Sequence, residues 1–390
     1  MDDDDSEEEY YFPYMLPEGG VDNTSAARGK QGGSIKGRRA NKDRDREIWG
    51  ERLMSDYFGD NPVYDEGDYV CVVTFFELIT IALVEDEDCS YFVQRIDATG
   101  RPGFLPEQKV TCALRMLAYG ASADQLDELI RMAESTVLET LKLFCSNIIR
   151  LFGPDLDCMH WTWKNCPTAW QGAFQGKEKC STVILEAVAS KSLWIWHAFD
   201  DMPGANNDLN VLERSPLLND LVNDVAPKIS FTVNGATYNQ GYYHSDGIYP
   251  AWAIFQSSIS APQGNKRKCY AVQQEAARKD VERTFEVLQQ RFRILALPCK
   301  LWSVDAMKDV MLACIILHNM IVEDEQRIPS LNHQYLFEDE WVSPAEVGVP
   351  DECPVAMIAN AMQVLEDEEL HYELKTDLVE HVWQCYGDLG

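Results

Sequence analysis

Two apolar, β-branched and aromatic runs, Ser181–Ser190 (STVILEAVAS) and Leu193–Phe199 (LWIWHAF), are separated only by Lys191 and Ser192. Neither run alternates with polar residues. Each reads as a strand, and the short link between them suggests a hairpin. Leu156–Trp163 (LDCMHWTW) alternates like a strand and supplies a third neighbour. Ile229–Val233 and Gln240–His244 read as further strands on either side of a Gly235 turn.

Helical spacing surrounds this β-rich middle. Val110, Leu114 and Leu117 fit one helix, and Ala121–Met132 fits a second with Ser122 as N-cap. Ser135–Phe152 fits a third, carrying Leu138, Leu141, Phe144 and Ile148. Two short helices and a tight turn suit a structural bundle. They also suit direct contact with DNA, although Lys142 and Arg150 are the only cations on the third helix. Further on, Val281, Phe285, Leu288 and Phe292 form one helical stripe over Val281–Ile294. Val304–Val322 is an unusually apolar helix in which His318 reads as a core-edge residue. The expected class is α/β with a mixed sheet, its first three strands antiparallel neighbours.

The expected layout has four parts. Residues 1–53 form a charged, Gly-rich, disordered segment, and 54–152 a helical, helix-turn-helix-like domain. Residues 153–325 form the core, and 326–390 an acidic tail in which Val355–Leu365 and Leu370–Tyr386 fit amphipathic helices. Lys36–Arg46 (KGRRANKDRDR) fits a nuclear-import signal and equally a solvated linker. No apolar h-region follows Met1, so no export signal is expected. The longest apolar run, Val70–Val84, is too short to span a bilayer. The 12 cysteines form no C-x-x-C pair, which fits reduced thiols rather than a zinc ribbon.

The net charge of −30 argues against a protein that grips DNA over its whole surface. The charge is uneven. Residues 322–390 hold 17 acidic and two basic side chains, whereas 264–300 hold nine basic and four acidic. Asp157 lies on the first core strand, Asp246 ends a later one, and Glu282 lies beside the apolar stripe of the following helix. If the first strand pairs beside the strand of Asp246, the three carboxylates converge at one sheet end. Convergent carboxylates suit Mg²⁺ or Mn²⁺, which prefer oxygen ligands. Two such ions can clamp the attacking and leaving oxygens of a phosphodiester. Lys266, Arg267, Lys268, Lys279 and Arg283 are candidate phosphate contacts, and helix-face cations explain them nearly as well.

LDCMHWTWKNCPTAWQG, VILEAVAS, LWIWHAF, MPGANNDLNVL, YYHSDGIYPAWAIF, ARKDVERTFEVLQQRFRIL and CIILHNMIVEDE occur in that order. Together they resemble the plant transposon protein group of the Harbinger (PIF) transposase superfamily over about residues 90–325. The resemblance implies an RNase H-like nuclease core with an Asp-Asp-Glu triad that falls on Asp157, Asp246 and Glu282. It also implies a nuclear protein that acts on transposon terminal inverted repeats with a separate basic, Myb-like partner that recognises DNA. A homo-oligomer is left open, and no membrane association is expected. Against the family pattern, Phe152–Asp155 runs almost directly into Leu156 and Asp157, and Glu286 stands where glycine is usual. A catalytically decayed or domesticated nuclear interaction protein is the alternative reading.

Overall fold

The computed structural model describes residues 44–59, 62–63, 73–86, 90–96, 100–152, 157–176, 179–212, 214–215, 230–327 and 364–387. All of them fall within one compact unit, 44–390. The expected tails at 1–43 and 328–363, including the Val355–Leu365 helix apart from its last two residues, lie outside the described residues.

The chain opens with helices α1 (Arg46–Phe58), α2 (Val73–Glu85), α3 (Pro106–Tyr119), α4 (Ala123–Ile130) and α5 (Glu134–Phe152). Ser122 caps α4 as its position in the sequence suggests. Its hydroxyl accepts the Gln125 N–H at 3.3 Å while Gln125 Oε1 accepts the Ser122 N–H at 3.0 Å, a reciprocal capping box. Val137, Leu141, Phe144, Cys145 and Ile148 of α5 are buried. α5 packs against α3 and α4.

Strand β1 (Asp157–Thr162) follows, then the single turn α6 (Gln171–Phe174), β2 (Thr182–Ala189), β3 (Ile195–Pro203) and the short α7 (Asp208–Leu212). β1, β2 and β3 form one antiparallel sheet in that order. The hairpin turn is longer than the sequence suggests. Ser190 and Trp194 close it through a 2.9 Å backbone bond, and Leu193 joins Lys191 and Ser192 in the loop with φ of 68°. The third residue of a three-residue hairpin loop takes this left-handed conformation, which a leucine adopts only at a cost. Burial of the Leu193 side chain helps to offset that cost.

β4 (Phe231–Val233) and β5 (Ala236–Tyr238) make a tight antiparallel hairpin, and β6 (Tyr243–Ser245) pairs in parallel with β7 (Phe255–Ser257). Sequence reading places the strand after Gly235 at Gln240–His244. The observed Asn234-Gly235 pair has φ of 49° and 87°, a type I′ turn that returns the chain immediately, so Ala236–Tyr238 pairs first.

Long helix α8 (Asn265–Arg291) comes next, then α9 (Arg293–Ala296), α10 (Val304–Arg327) and α11 (Glu368–Tyr386). α8 begins well before the Val281 that its apolar stripe marks. Residues 265–280 are strong helix formers with little apolar periodicity, so propensity rather than patterning carries that half. α10 is buried nearly all round, with Val310, Met311, Cys314, Ile315 and Leu317 in the core. It packs against α5 and β3. His318 is fully buried and its Nε2 lies 2.8 Å from the Leu193 carbonyl oxygen. Asn319 donates to the Ile195 carbonyl at 2.7 Å and accepts the Ile195 N–H at 2.9 Å. One side chain thus supplies the ladder bonds that the start of β3 would otherwise lack. A single apolar cluster runs from α2, α3 and α5 through β1, β2 and β3 to α10. Among the described residues no helix is long and apolar enough to cross a membrane.

Candidate active site

Asp157 is the first residue of β1, opposite Ala187 of β2. Its side chain lies outside the described residues. Asp246 directly follows β6 and is exposed. Its Oδ1 accepts the Gly247 N–H at 2.5 Å and its carbonyl accepts the Tyr249 N–H at 3.2 Å. Asp-Gly-Ile-Tyr is therefore a β-turn with aspartate in the first position, where a short carboxylate can bond the turn backbone. Among the described residues β6 pairs with β7 and β1 pairs with β2, so the side-by-side pairing of β1 and β6 is not among the observed ladders.

Glu282 lies midway along α8, more than half exposed, and its Oε1 accepts from Arg278 Nη1 at 2.8 Å. Arg278 also grips Glu275 at 2.7 Å. The two carboxylates raise the Arg278 guanidinium further above its ordinary range, with the hydrogen bond to Glu275 the larger cause. The i, i+4 row Arg278, Glu282, Glu286 is thus a charged face of one helix.

α8 is the element that ties these positions together. It packs against β2, the neighbour of the strand that Asp157 begins, and against β6, the strand that Asp246 follows. Side chains fix both contacts. Arg283 Nη2 donates to the Lys191 carbonyl in the β2–β3 turn at 2.7 Å, and the same guanidinium lies 3.1 Å from Asp280. On the other side, His244 Nδ1 lies 2.8 Å from Gln274 Oε1, and Gln274 Nε2 donates to the Gln256 carbonyl of β7. Sequence reading passes over Gln274 and Gln256. The only signal for Gln274 is that it sits four residues after Tyr270, on the face that α8 buries.

The cations along α8 have separate fates. Arg283 is committed to the β2–β3 turn, and Lys266 pairs with Glu380 of α11 at 2.5 Å. Arg267, Lys268 and Lys279 are exposed. Lys268 and Lys279 border an open groove of about 630 Å³ whose floor includes Val272 and Ala276. Eleven helical residues separate these two lysines, or roughly 16 Å along the axis.

Asp246 and Glu282 offer hard oxygen donors, the chemistry that a divalent cation of the Mg²⁺ type prefers. Among the described residues no group of three or more His, Cys, Asp or Glu side chains is placed to hold a metal ion. The described cysteines are free thiols.

The sequence model of a family described as plant transposon protein matches residues 131–329, slightly more than half of the chain. The matched span runs from the end of α4 through α10 and includes Asp157, Asp246 and Glu282. No curated protein matches the chain, and no solved structure matches it.

Proposed function

The chain belongs to the plant transposon protein family, and from that premise we propose that it is a Harbinger-type, transposase-derived nuclease with an RNase H-like core. It acts in the nucleus on the phosphodiesters of transposon ends. The observation that carries this reading is the placement of α8. One helix bears Glu282 and packs on both β2 and β6, the elements that position Asp157 and Asp246. Asp157, Asp246 and Glu282 would hold the metal. A bound Mg²⁺ or Mn²⁺ supplies Lewis-acid activation of water and of the scissile phosphate. The chain's own part is to hold the carboxylates. The Asp246 turn fixes its carboxylate against the Gly247 amide, and Arg278 orients Glu282 and balances its charge.

The test is strand cleavage of a terminal-repeat duplex in Mn²⁺, read beside a thermal shift. Asp246→Asn should abolish cleavage and remove most of the Mn²⁺-dependent rise in melting temperature, whereas Glu366→Gln should change neither. Identical Mn²⁺ shifts for wild type and Asp246→Asn would reject the site.

A second reading is a domesticated nuclear interaction protein without cleavage activity. The observations that favour it are the ion pair already made by Glu282 and the acidic α11 laid against α8, with Glu380 on Lys266. Wild-type protein that binds its partners and fails to cleave in either metal would decide for it.

A further inference from the structure

A second cationic site lies at the N-terminal edge of the span that the family match covers, which begins at Arg131. Between α1, α3 and α4 a pocket of about 180 Å³ is lined by Trp49, Arg52, Asp56, Tyr57, Arg115 and Leu129, among others. Its walls are firmly held. Arg44 grips Asp127 of α4 through two bonds of 2.6 and 2.8 Å, and Gln108 of α3 donates to the Arg46 carbonyl at 3.1 Å. Gly50 lets α1 sit close on α3, since a Cβ there would meet Gln108 and Leu105 at 3.1 Å.

The cations are arranged around an indole. Arg52 stacks over the Trp49 ring at 5.2 Å and Arg131 at 5.0 Å. Arg131 ends α4 with φ of 61°, a left-handed C-cap that glycine or asparagine usually fills. The sequence accepts that strain at the residue whose side chain lies on Trp49. Arg115 is only partly exposed, and the hydrogen bond described for it is to the neutral phenol of Tyr57, at 2.9 Å. The single carboxylate lining the pocket is Asp56, 3.5 Å from Arg52. The lining therefore carries one net positive charge, with Arg131 adding a second at its edge.

We propose that this pocket is a phosphate-binding site that takes one backbone phosphodiester of a nucleic-acid strand. A phosphodiester carries a single negative charge, equal and opposite to the net charge of the lining residues. Guanidiniums offer it paired donors, and the Trp49 edge and Leu129 give the adjoining sugar an apolar wall. Arg52 and Leu129 are exposed, so a continuous strand can pass over the opening. The proposal rests on the nucleic-acid reading of the family. It assigns the contact to the edge of α1 and α3, whereas α5 offers mainly Lys142, since its Arg150 is paired with Asp86.

The experiment is an anisotropy titration of a labelled random-sequence duplex with the full chain, in EDTA and at about 25 mM salt. Arg115→Gln and Arg52→Gln should each weaken binding roughly 3- to 10-fold and lower the salt slope by about one. Arg115→Lys should retain part of the affinity, and Lys142→Gln should match wild type. Melting temperatures measured alongside separate lost contact from lost fold. Arginine variants that bind like wild type overturn the proposal, as does a wild type that binds no duplex. A pocket that takes inorganic phosphate or a phosphopeptide but no duplex, with Arg115 dependence, overturns the occupant. Strand cleavage in Mn²⁺ by Arg115→Gln at saturating protein, abolished by Asp246→Asn, keeps the nuclease reading standing whichever way the titration falls.

Discussion

His318 and His197 are buried where a charge has no counterpart, and desolvation lowers each imidazole to a pKa of about 4. An unfolded histidine titrates near 6.5. Between these values the unfolded chain binds more protons than the folded one. Stability therefore rises with pH across that window and falls as the solution is acidified from about pH 6.5 toward 4. The slope is on the order of 1.4 kcal/mol per histidine per pH unit at most. Glu186 works in the opposite sense. Burial in β2 raises its carboxyl, and one of its oxygens finds no hydrogen-bond partner, so its protonation on acidification relieves part of the loss. The net expectation is a urea midpoint that drops clearly between pH 7 and pH 5, with the drop shallower in His318→Gln. A midpoint independent of pH over this range would mean that both imidazoles are charged or solvated in the folded protein.

At the scale of elements, α11 shows how an acidic segment becomes structural. Leu374 and Leu378 are buried against Tyr270 of α8 and against Val233 and Tyr238 of the β4–β5 hairpin. Asp377 accepts from the Tyr238 hydroxyl at 2.7 Å and from Asn234 at 3.0 Å, and Asp367 caps the helix through the Leu370 N–H at 3.0 Å. His371 is buried with Nδ1 at 3.0 Å from the Trp252 carbonyl oxygen. Leu374→Ala and Leu378→Ala should each destabilise the protein by about 2–4 kcal/mol, the usual cost of a leucine-sized cavity. Because both leucines sit on one late helix, the first sign should be faster proteolysis within α11, ahead of global unfolding. Cleavage rates equal to wild type would mean that α11 contributes no packing energy.

For the whole molecule, charge decides how DNA is met. A net charge of −30 repels duplex over any distance that salt does not screen. Among the described residues the phosphate contacts on offer are few, chiefly the exposed cations of α8 and the pocket on α1 and α3. Affinity for random duplex at about 150 mM salt should therefore be weak. On the proposed function, recognition of a terminal repeat should then fall to a basic partner, docked by charge on the acidic surface of the chain. Sub-micromolar, sequence-selective binding by the chain alone at that salt would defeat this expectation. Recovery of selectivity on adding a basic DNA-binding partner, lost again at higher salt, is the expected result.

The elements written as strong local patterns were legible before any coordinates. Uninterrupted β-branched runs set β2 and β3, Ser122 as N-cap started α4, and apolar spacing marked α5 and α10. These are short-range matters of side-chain period and capping, which a sequence carries on its face. The backbone places of Asp157, Asp246 and Glu282, on the first core strand, just after a later strand and on a helix, were legible too, but the expected pairing of β1 beside β6 is not among the observed ladders. What the sequence left undecided were the partnerships. Nothing local tells that Asn319 completes the start of β3, that Gln274 binds His244 and Gln256 to α8, or that Arg283 serves a turn 92 residues away. Whether a given cation meets a carboxylate, a carbonyl or solvent depends on which element lies across from it. Only the tertiary fold chooses that neighbour, because burial makes the unpaired alternative costly.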